Sequence, residues 1–142
     1  MDKKGILRVL DANFNRAKEG LRVVEDIFRY LFEDDKLRKK VRRLRHALDF
    51  VVKENFFKEA ILSRDSNKDL GKNVDVLELR RKNCLDILYV NLQRVKESLR
   101  VLEEFFKIVS LKKVNNIKKI RYKLYDLERE ITQWRTSLRN FR

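Results

Sequence analysis

The sequence predicts an all-α protein, with four long helices forming two similar αα-hairpins in one four-helix bundle. Three observations carry this. The chain has no proline and only three glycines in 142 residues, too few turn formers for a β-sandwich or an α/β fold. Apolar residues recur at three- and four-residue steps over four long stretches, which is the period of a helix with one buried face. The chain also repeats itself: NRAKEGLRVVEDIFRYL (15–31) returns 78 residues later as QRVKESLRVLEEFFKIV (93–109).

The first stripe runs from Leu7 through Leu10, Phe14, Ala17, Leu21, Val24 and Phe28 to Leu31, giving helix one. Glu33-Asp34-Asp35 interrupts it and offers a capping carboxylate to helix two. Helix two carries Leu37, Val41, Leu44, Leu48, Val51 and Val52 and is expected to run toward Ile61. The polar stretch SRDSNKDLGKN (63–73) is the one real loop. Helix three is expected to start near Asp75, where DVLE pairs an Asp cap with Glu78. It continues through Leu88, Leu92, Val95, Leu99, Leu102 and Phe106. Helix four is expected from about Leu111 to Leu138, with Ile117, Ile120, Leu124, Leu127, Ile131 and Trp134 inward.

Under the 78-residue shift, Asn13, Arg16, Lys18, Glu19, Leu21, Arg22, Val23, Glu25 and Phe28 meet identical residues. The second helices align with a two-residue gap, so that Arg45 and Leu48 meet Arg121 and Leu124. We therefore expect a single domain, residues 1–142, with repeat halves at about 6–62 and 76–140 joined by a loop at 63–75. A pseudo-twofold axis should relate the halves, because each hairpin needs the other to bury its apolar face.

Composition narrows the class. Apolar residues make up 43% and charged residues 41%, which fits a folded soluble chain. The lone Cys84 leaves no internal disulfide and points to a reducing cytoplasm; a small core filler is its ordinary role. No apolar run approaches a membrane span and no signal-peptide core opens the chain. A net charge of +14 suggests an anionic partner, though the basic residues are spread along the whole chain.

The duplicated polar residues are the candidate site. Asn13 and Arg16, with copies Asn91 and Arg94, fall in or beside the apolar stripes, where leucine would be the ordinary choice. They are expected to line a polar cavity between helices one and three, with arginine suited to phosphate and asparagine to a ring or hydroxyl. The alternative is a buried network in which each arginine pairs with Glu19 or Glu97. Those two glutamates border the stripe and are also candidates for Mg²⁺ beside a bound phosphate. Gly20 suggests close helix packing or ligand approach. Arg22 and Glu25, with Arg100 and Glu103, are expected on a solvated face or a subunit contact, a homodimer included. His46, the only histidine, is assigned a structural role. Arg64, Asp65 and Asp69 in the loop suit phosphates and a metal.

The segments ILRVLDANFNRAKEGLRVVEDIFRYLF, LRHAL, SRDSNKDLG and VNLQRVKESLRVLEEFFK occur in that order. Together they resemble the helical domain found fused ahead of thiamine-phosphate synthase in some bacteria, described as an alternative hydroxymethylpyrimidine-phosphate kinase. The resemblance runs from about Ile6 to Lys107. It implies thiamine biosynthesis, with ATP converting 4-amino-5-hydroxymethyl-2-methylpyrimidine phosphate to the diphosphate, a transfer for which Mg²⁺ is the expected ion. Such phosphoryl transfer needs mostly positioning and charge neutralisation, and on that ground Arg16, Arg94 and Arg64 are expected on phosphates and Asn13 and Asn91 on the pyrimidine. Asp65 or Asp69 then takes Mg²⁺ or the attacking hydroxyl. No synthase barrel follows in this sequence, so we expect a stand-alone protein, with thiamine-phosphate synthase as a separate partner for channelling. Two other functions compete. One is a non-catalytic adaptor for that synthase. The other is a basic nucleic-acid binder using Lys39, Lys40, Arg42, Arg43 and Arg45, which lacks an aromatic platform or recognition-helix motif.

Overall fold

The computed structural model describes residues 2–53, 56–73 and 79–140. It is all-α, and no strand occurs among the described residues. Among the described residues five α-helices follow in order: α1 (Lys3–Asp26), α2 (Asp35–Ala47), α3 (Phe56–Leu62), α4 (Cys84–Val109) and α5 (Leu111–Asn140). α1 packs on α2 and α4, and α5 packs on α4 and α2, so the four long helices close a bundle. α3 is a short fifth helix against α1.

Local chemistry places the ends. Asp2 caps α1 by accepting the Gly5 N–H at 2.9 Å, and Asp34 caps α2 by accepting the Leu37 N–H at 2.9 Å. After Asp26, helix one finishes in a single π turn, Ile27–Leu31, closed by Phe32 N–H on the Ile27 carbonyl at 3.1 Å. Phe28 and Phe32 then both reach Trp134 edge-on, at centroid distances of 5.2 and 4.8 Å. The two-residue gap in the repeat lies at the hairpin tips. Residues 32–34 join the first pair of helices, whereas Ser110 alone joins α4 to α5.

Two boundaries differ from expectation. Helix two does not run unbroken toward Ile61. It tightens into a 3₁₀ stretch, Leu48–Val52, and α3 begins again at Phe56. The tightening presents the Phe50 and Val51 carbonyls to the Lys113 ammonium of α5, at 2.9 and 3.2 Å. It also lets Phe57 dock edge-on against Phe14, 5.0 Å away. A continuous helix would occupy those carbonyls with its own next turn. Helix three starts at Cys84, capped by Asn83, which accepts the Asp86 N–H. It does not start near Asp75, and the expected Asp75–Glu78 cap lies outside the described residues. Cys84, on the first turn, is only half-buried rather than a core filler.

The expected solvated face of Arg22–Glu25 and Arg100–Glu103 is also corrected. Glu25 and Glu103 are buried. Arg45 donates to Glu25 through Nε at 3.1 Å and its terminal nitrogen at 3.0 Å. Arg121 holds Glu103 the same way, at 2.7 and 3.4 Å, and this bond keeps the Arg121 guanidinium more firmly protonated. The two pairs are repeat-related, and each ties together the two long helices of its own hairpin. Arg22 and Arg100 approach the same carboxylates from the exposed side, at 3.6 and 3.8 Å. α1 touches both α2 and α4, so the buried arc is wider than one stripe and takes in these border positions.

α1 and α4 run antiparallel across the pseudo-twofold axis, and Gly20 sets their spacing. A Cβ on Gly20 would lie 2.7 Å from Val95 Cγ2 and 3.4 Å from the Asn91 carbonyl oxygen.

Two stability outcomes follow. Arg121→Ala strands a buried carboxylate and is expected to cost about 3–5 kcal/mol in urea unfolding, whereas Glu103→Leu with Arg121→Leu recovers most of it. Gly20→Ala is expected to destabilise through overpacking of about 1–3 kcal/mol, despite a gain of about 1 kcal/mol in helix propensity. Adding Val95→Ala should then restore stability, and an unchanged melting temperature for Gly20→Ala alone would refute the close approach.

Candidate functional site

Along α1 the sequence places Arg8, Asp11, Asn13 and Arg16 within little more than two turns, and the structure builds two adjoining cavities around them. The first, of about 480 Å³, lies between α1 and α4 and is lined by Asn13, Arg16, Arg94, Glu97, Ser98 and Val101. The second, of about 420 Å³, lies between α1 and the loop, where Arg8, Asp11, Arg64, Asp65 and Asp69 meet. Asn13 and Arg16 line both.

The structure therefore brings together most of the residues singled out by sequence, with changes of role. Asn13 and Asn91 are buried. Each donates its amide to the carbonyl one turn back in its own helix, Asn13 to Val9 at 2.9 Å and Asn91 to Ile87 at 2.8 Å. Asn13 Oδ1 also accepts from Arg16 at 3.4 Å. Asn91 lines neither cavity; it is packed beneath Gly20. Arg16 and Arg94 are exposed at the cavity mouths. The expected pairing with Glu19 or Glu97 does not form: among the described residues neither arginine has a carboxylate within ion-pair distance. Glu97 lines the interhelical cavity and accepts from Gln93. Glu19 is exposed and lines neither.

Asp11 was not among the expected site residues. It is buried at 4% exposure and grips Arg64 with both oxygens, Nε to Oδ2 at 2.5 Å and a terminal nitrogen to Oδ1 at 2.7 Å. This bond holds the Arg64 guanidinium more firmly protonated. It uses two of the five N–H donors and leaves three. The Arg64–Asp11 pair ties the loop to α1. Beyond it, Asp65 caps a 3₁₀ turn, Ser66–Lys68, and Asp69 Oδ1 accepts the Gly71 N–H at 2.9 Å. Repetition had drawn attention to duplicated residues, yet Asp11 matches Tyr89 and Arg8 matches Asp86. An unduplicated charge at the border of a duplicated apolar stripe is the signal that would have found Asp11.

No group of three or more His, Cys, Asp or Glu side chains is placed to hold a metal ion among the described residues. Asp65 and Asp69 do share one cavity, and each has an oxygen outside its backbone bond. Two such carboxylates would repel a polyphosphate entering alone, and they suit one that arrives with Mg²⁺, an ion bound through one or two carboxylates plus phosphates. The basic cluster considered for nucleic acid is largely neutralised: Lys39 pairs with Asp35, Lys40 with Glu130 and Arg45 with Glu25. His46 is exposed, 3.3 Å from Asp49. No helix among the described residues is long and apolar enough to cross a membrane.

Residues 8–130, which contain every residue of both cavities except Gly5, match the ThiD2 family. The chain belongs to that family. This ThiD2 member is 38% identical over 124 residues to a thiamine-phosphate synthase of Synechocystis sp., a match covering 87% of this chain and 35% of that protein. Against the thiamine-phosphate synthase of Thermosynechococcus vestitus the identity is 36% over 126 residues, covering 88% and 35%. Against that of Rhodopirellula baltica it is 33% over 131 residues, covering 92% and 35%. The ThiD2 chain thus spans about a third of the length of the curated relatives it matches. No solved structure matches it.

Asp11→Asn is expected to loosen the loop without unfolding the bundle. Hydrogen exchange and protease cleavage should rise across residues 63–73 while α1 and α4 stay protected; unchanged protection of the loop would show that other contacts hold it.

Proposed function

We propose that this chain acts in thiamine biosynthesis as a kinase, transferring the terminal phosphoryl group of ATP to 4-amino-5-hydroxymethyl-2-methylpyrimidine phosphate to give the diphosphate. The observation that carries this is a pair of guanidinium groups, Arg16 and Arg94, with no carboxylate within ion-pair distance among the described residues, the first of them adjoining a loop that gathers Arg64, Asp65 and Asp69. Elsewhere on this surface the arginines and lysines of helices α1, α2 and α4 are commonly paired. Family membership and the thiamine-phosphate synthase relatives support the pathway.

Phosphoryl transfer asks little covalent chemistry of a protein, and mostly positioning and charge neutralisation. Here the nucleophile is a phosphate oxygen and not a hydroxyl, so the role considered for Asp65 or Asp69 at an attacking hydroxyl is not needed. A phosphate monoester has a second pKa of about 6 and is already ionised at neutral pH. The protein therefore needs no general base. Asn13 and Arg94 orient the pyrimidine phosphate, Arg16 faces the transferred group, and the free donors of Arg64 bind donor phosphate. Asp65 and Asp69 are the residues that would hold Mg²⁺, which supplies charge neutralisation on the nucleotide when bound. The loop, tied at its base by Asp11, excludes water when the cavity fills.

The intact chain should convert the monophosphate to the diphosphate with ATP and Mg²⁺, followed by chromatography or phosphorus NMR, and should rescue a strain lacking its pyrimidine-phosphate kinase. Its rate should fall below about pH 6 as the acceptor phosphate gains a proton. Arg64→Ala and Asp65→Ala should fold and turn over slowly, the arginine change by about a thousandfold. A chain that binds thiamine-phosphate synthase but transfers no phosphoryl group from any nucleotide would be an adaptor.

A further inference from the structure

We propose, resting on the kinase function above, that the two adjoining cavities divide the substrates between them. The nucleoside triphosphate lies under the loop, the phosphorylated acceptor lies between α1 and α4, and Arg16 stands at the phosphoryl group that passes from one to the other.

Volume and topology come first. Cavities of about 420 and 480 Å³ fall in the range that holds small ligands, roughly 300–1,000 Å³. They have only Asn13 and Arg16 in common. Two ligands seated in them would meet at that pair of side chains and nowhere else. Arg16 has a fork of donors and, among the described residues, no carboxylate to occupy it. Its one side-chain bond, 3.4 Å to Asn13, is long and weak.

The linings assign the ligands. The loop-side cavity mixes cations with carboxylates: beside the mutually paired Arg64 and Asp11, Arg8 and Arg16 stand against Asp65 and Asp69. That combination suits a polyphosphate carrying a divalent cation. The cavity reaches Gly5 at the start of α1, which gives a nucleoside room to extend outward. The interhelical cavity is smaller in charge and richer in shape. It offers one further cation, Arg94, for a single phosphate, Glu97 and the Ser98 hydroxyl oxygen (whose own proton goes to the Arg94 carbonyl at 2.7 Å) to accept from an amine, and Val101 as an apolar wall. That suits a small aminated heteroaromatic ring with one phosphate.

Among the described residues the arrangement occurs once. Arg8 and Asp11 match Asp86 and Tyr89 under the repeat, and the loop that carries Arg64 lies between the hairpins. The interhelical contact is unequal as well. On one side of the axis Val95 fills the space over Gly20, while the repeat sets the smaller Ala17 against Ser98 on the other. The cleft therefore opens beside Asn13 and not beside Asn91.

The transfer balances without a proton. An oxygen of the acceptor phosphate forms a bond to the terminal phosphorus as the bond from that phosphorus to the bridging oxygen breaks. The bridging oxygen leaves with the electron pair as nucleoside diphosphate, and total charge is unchanged. Arg16, between the entering and leaving oxygens, faces the charge that both share.

The test uses the full chain and separates the cavities. Calorimetry is run with a non-hydrolysable ATP analogue plus Mg²⁺, and separately with the pyrimidine monophosphate. Steady-state kinetics is run on the wild type, Arg8→Ala, Arg94→Ala, Arg16→Ala and Arg16→Lys. None of these positions is buried, and melting curves check folding. One equivalent of each ligand should bind per chain. Arg8→Ala should weaken the nucleotide analogue about tenfold and spare the monophosphate, and Arg94→Ala should do the reverse. Arg16→Ala should lower kcat by about a thousandfold with smaller changes in either KM, and Arg16→Lys should recover part of the loss. If the wild type turns over but Arg8→Ala and Arg94→Ala weaken both ligands alike, or two equivalents of either ligand bind, the division of the cavities is wrong and the kinase function stands. Full turnover in Arg16→Ala overturns the junction role. If the wild type binds neither ligand and transfers nothing, the kinase function and this division both fall.

Discussion

Gly20 and Val95 meet at a distance that a side chain on Gly20 would forbid, with 2.7 Å from a would-be Cβ to Val95 Cγ2. This contact lets two long helices cross closely at the centre of the chain. Both hairpins hang from it, because neither can bury its apolar face without the other. Both cavities hang from it as well, since α1 forms one wall of each. The contact is local and steric. Its effect is global because α1 and α4 are the two helices that touch across the repeat.

Charge does the complementary work inside each half. Glu25–Arg45 and Glu103–Arg121 are buried pairs placed identically by the repeat. Such pairs add little net stability relative to apolar side chains of equal size, and breaking one is costly. Their effect here is on register, since a hairpin slipped by one turn would bury a carboxylate without its arginine. Lys113 plays a related part where α2 gives way to the 3₁₀ stretch. It stands where the repeat has Leu37, and its ammonium takes carbonyls that the broken helix releases.

Four apolar stripes and a repeat were enough to read the all-α bundle, and the Asn/Arg pairs were enough to find one wall of the site. The rest was hidden for physical reasons. A helical wheel assumes one buried stripe, but α1 has neighbours on more than one side, so Glu25 and Glu103 are buried at what looked like a wet border. The break at Leu48–Val52 depends on Lys113, a partner more than sixty residues away, and local periodicity carries no trace of it. Asp11 is not duplicated, and its partner Arg64 lies 53 residues further along the chain, so neither repetition nor local spacing reveals it.

Between the hairpins, in a molecule whose long helices are repeated, lies a loop tied to the first copy by Arg64 and Asp11. A homodimer of the first hairpin would reproduce the bundle, with its two faces alike and a loop on each. Joining the copies in one chain frees the second from that duty. Asp86 and Tyr89 can stand where Arg8 and Asp11 stand in the first, and Val95 can close what Ala17 leaves open. Covalent linkage thus turns a symmetric scaffold into one whose halves diverge: the first and its loop line the whole of one cavity, and the second supplies one wall of the other.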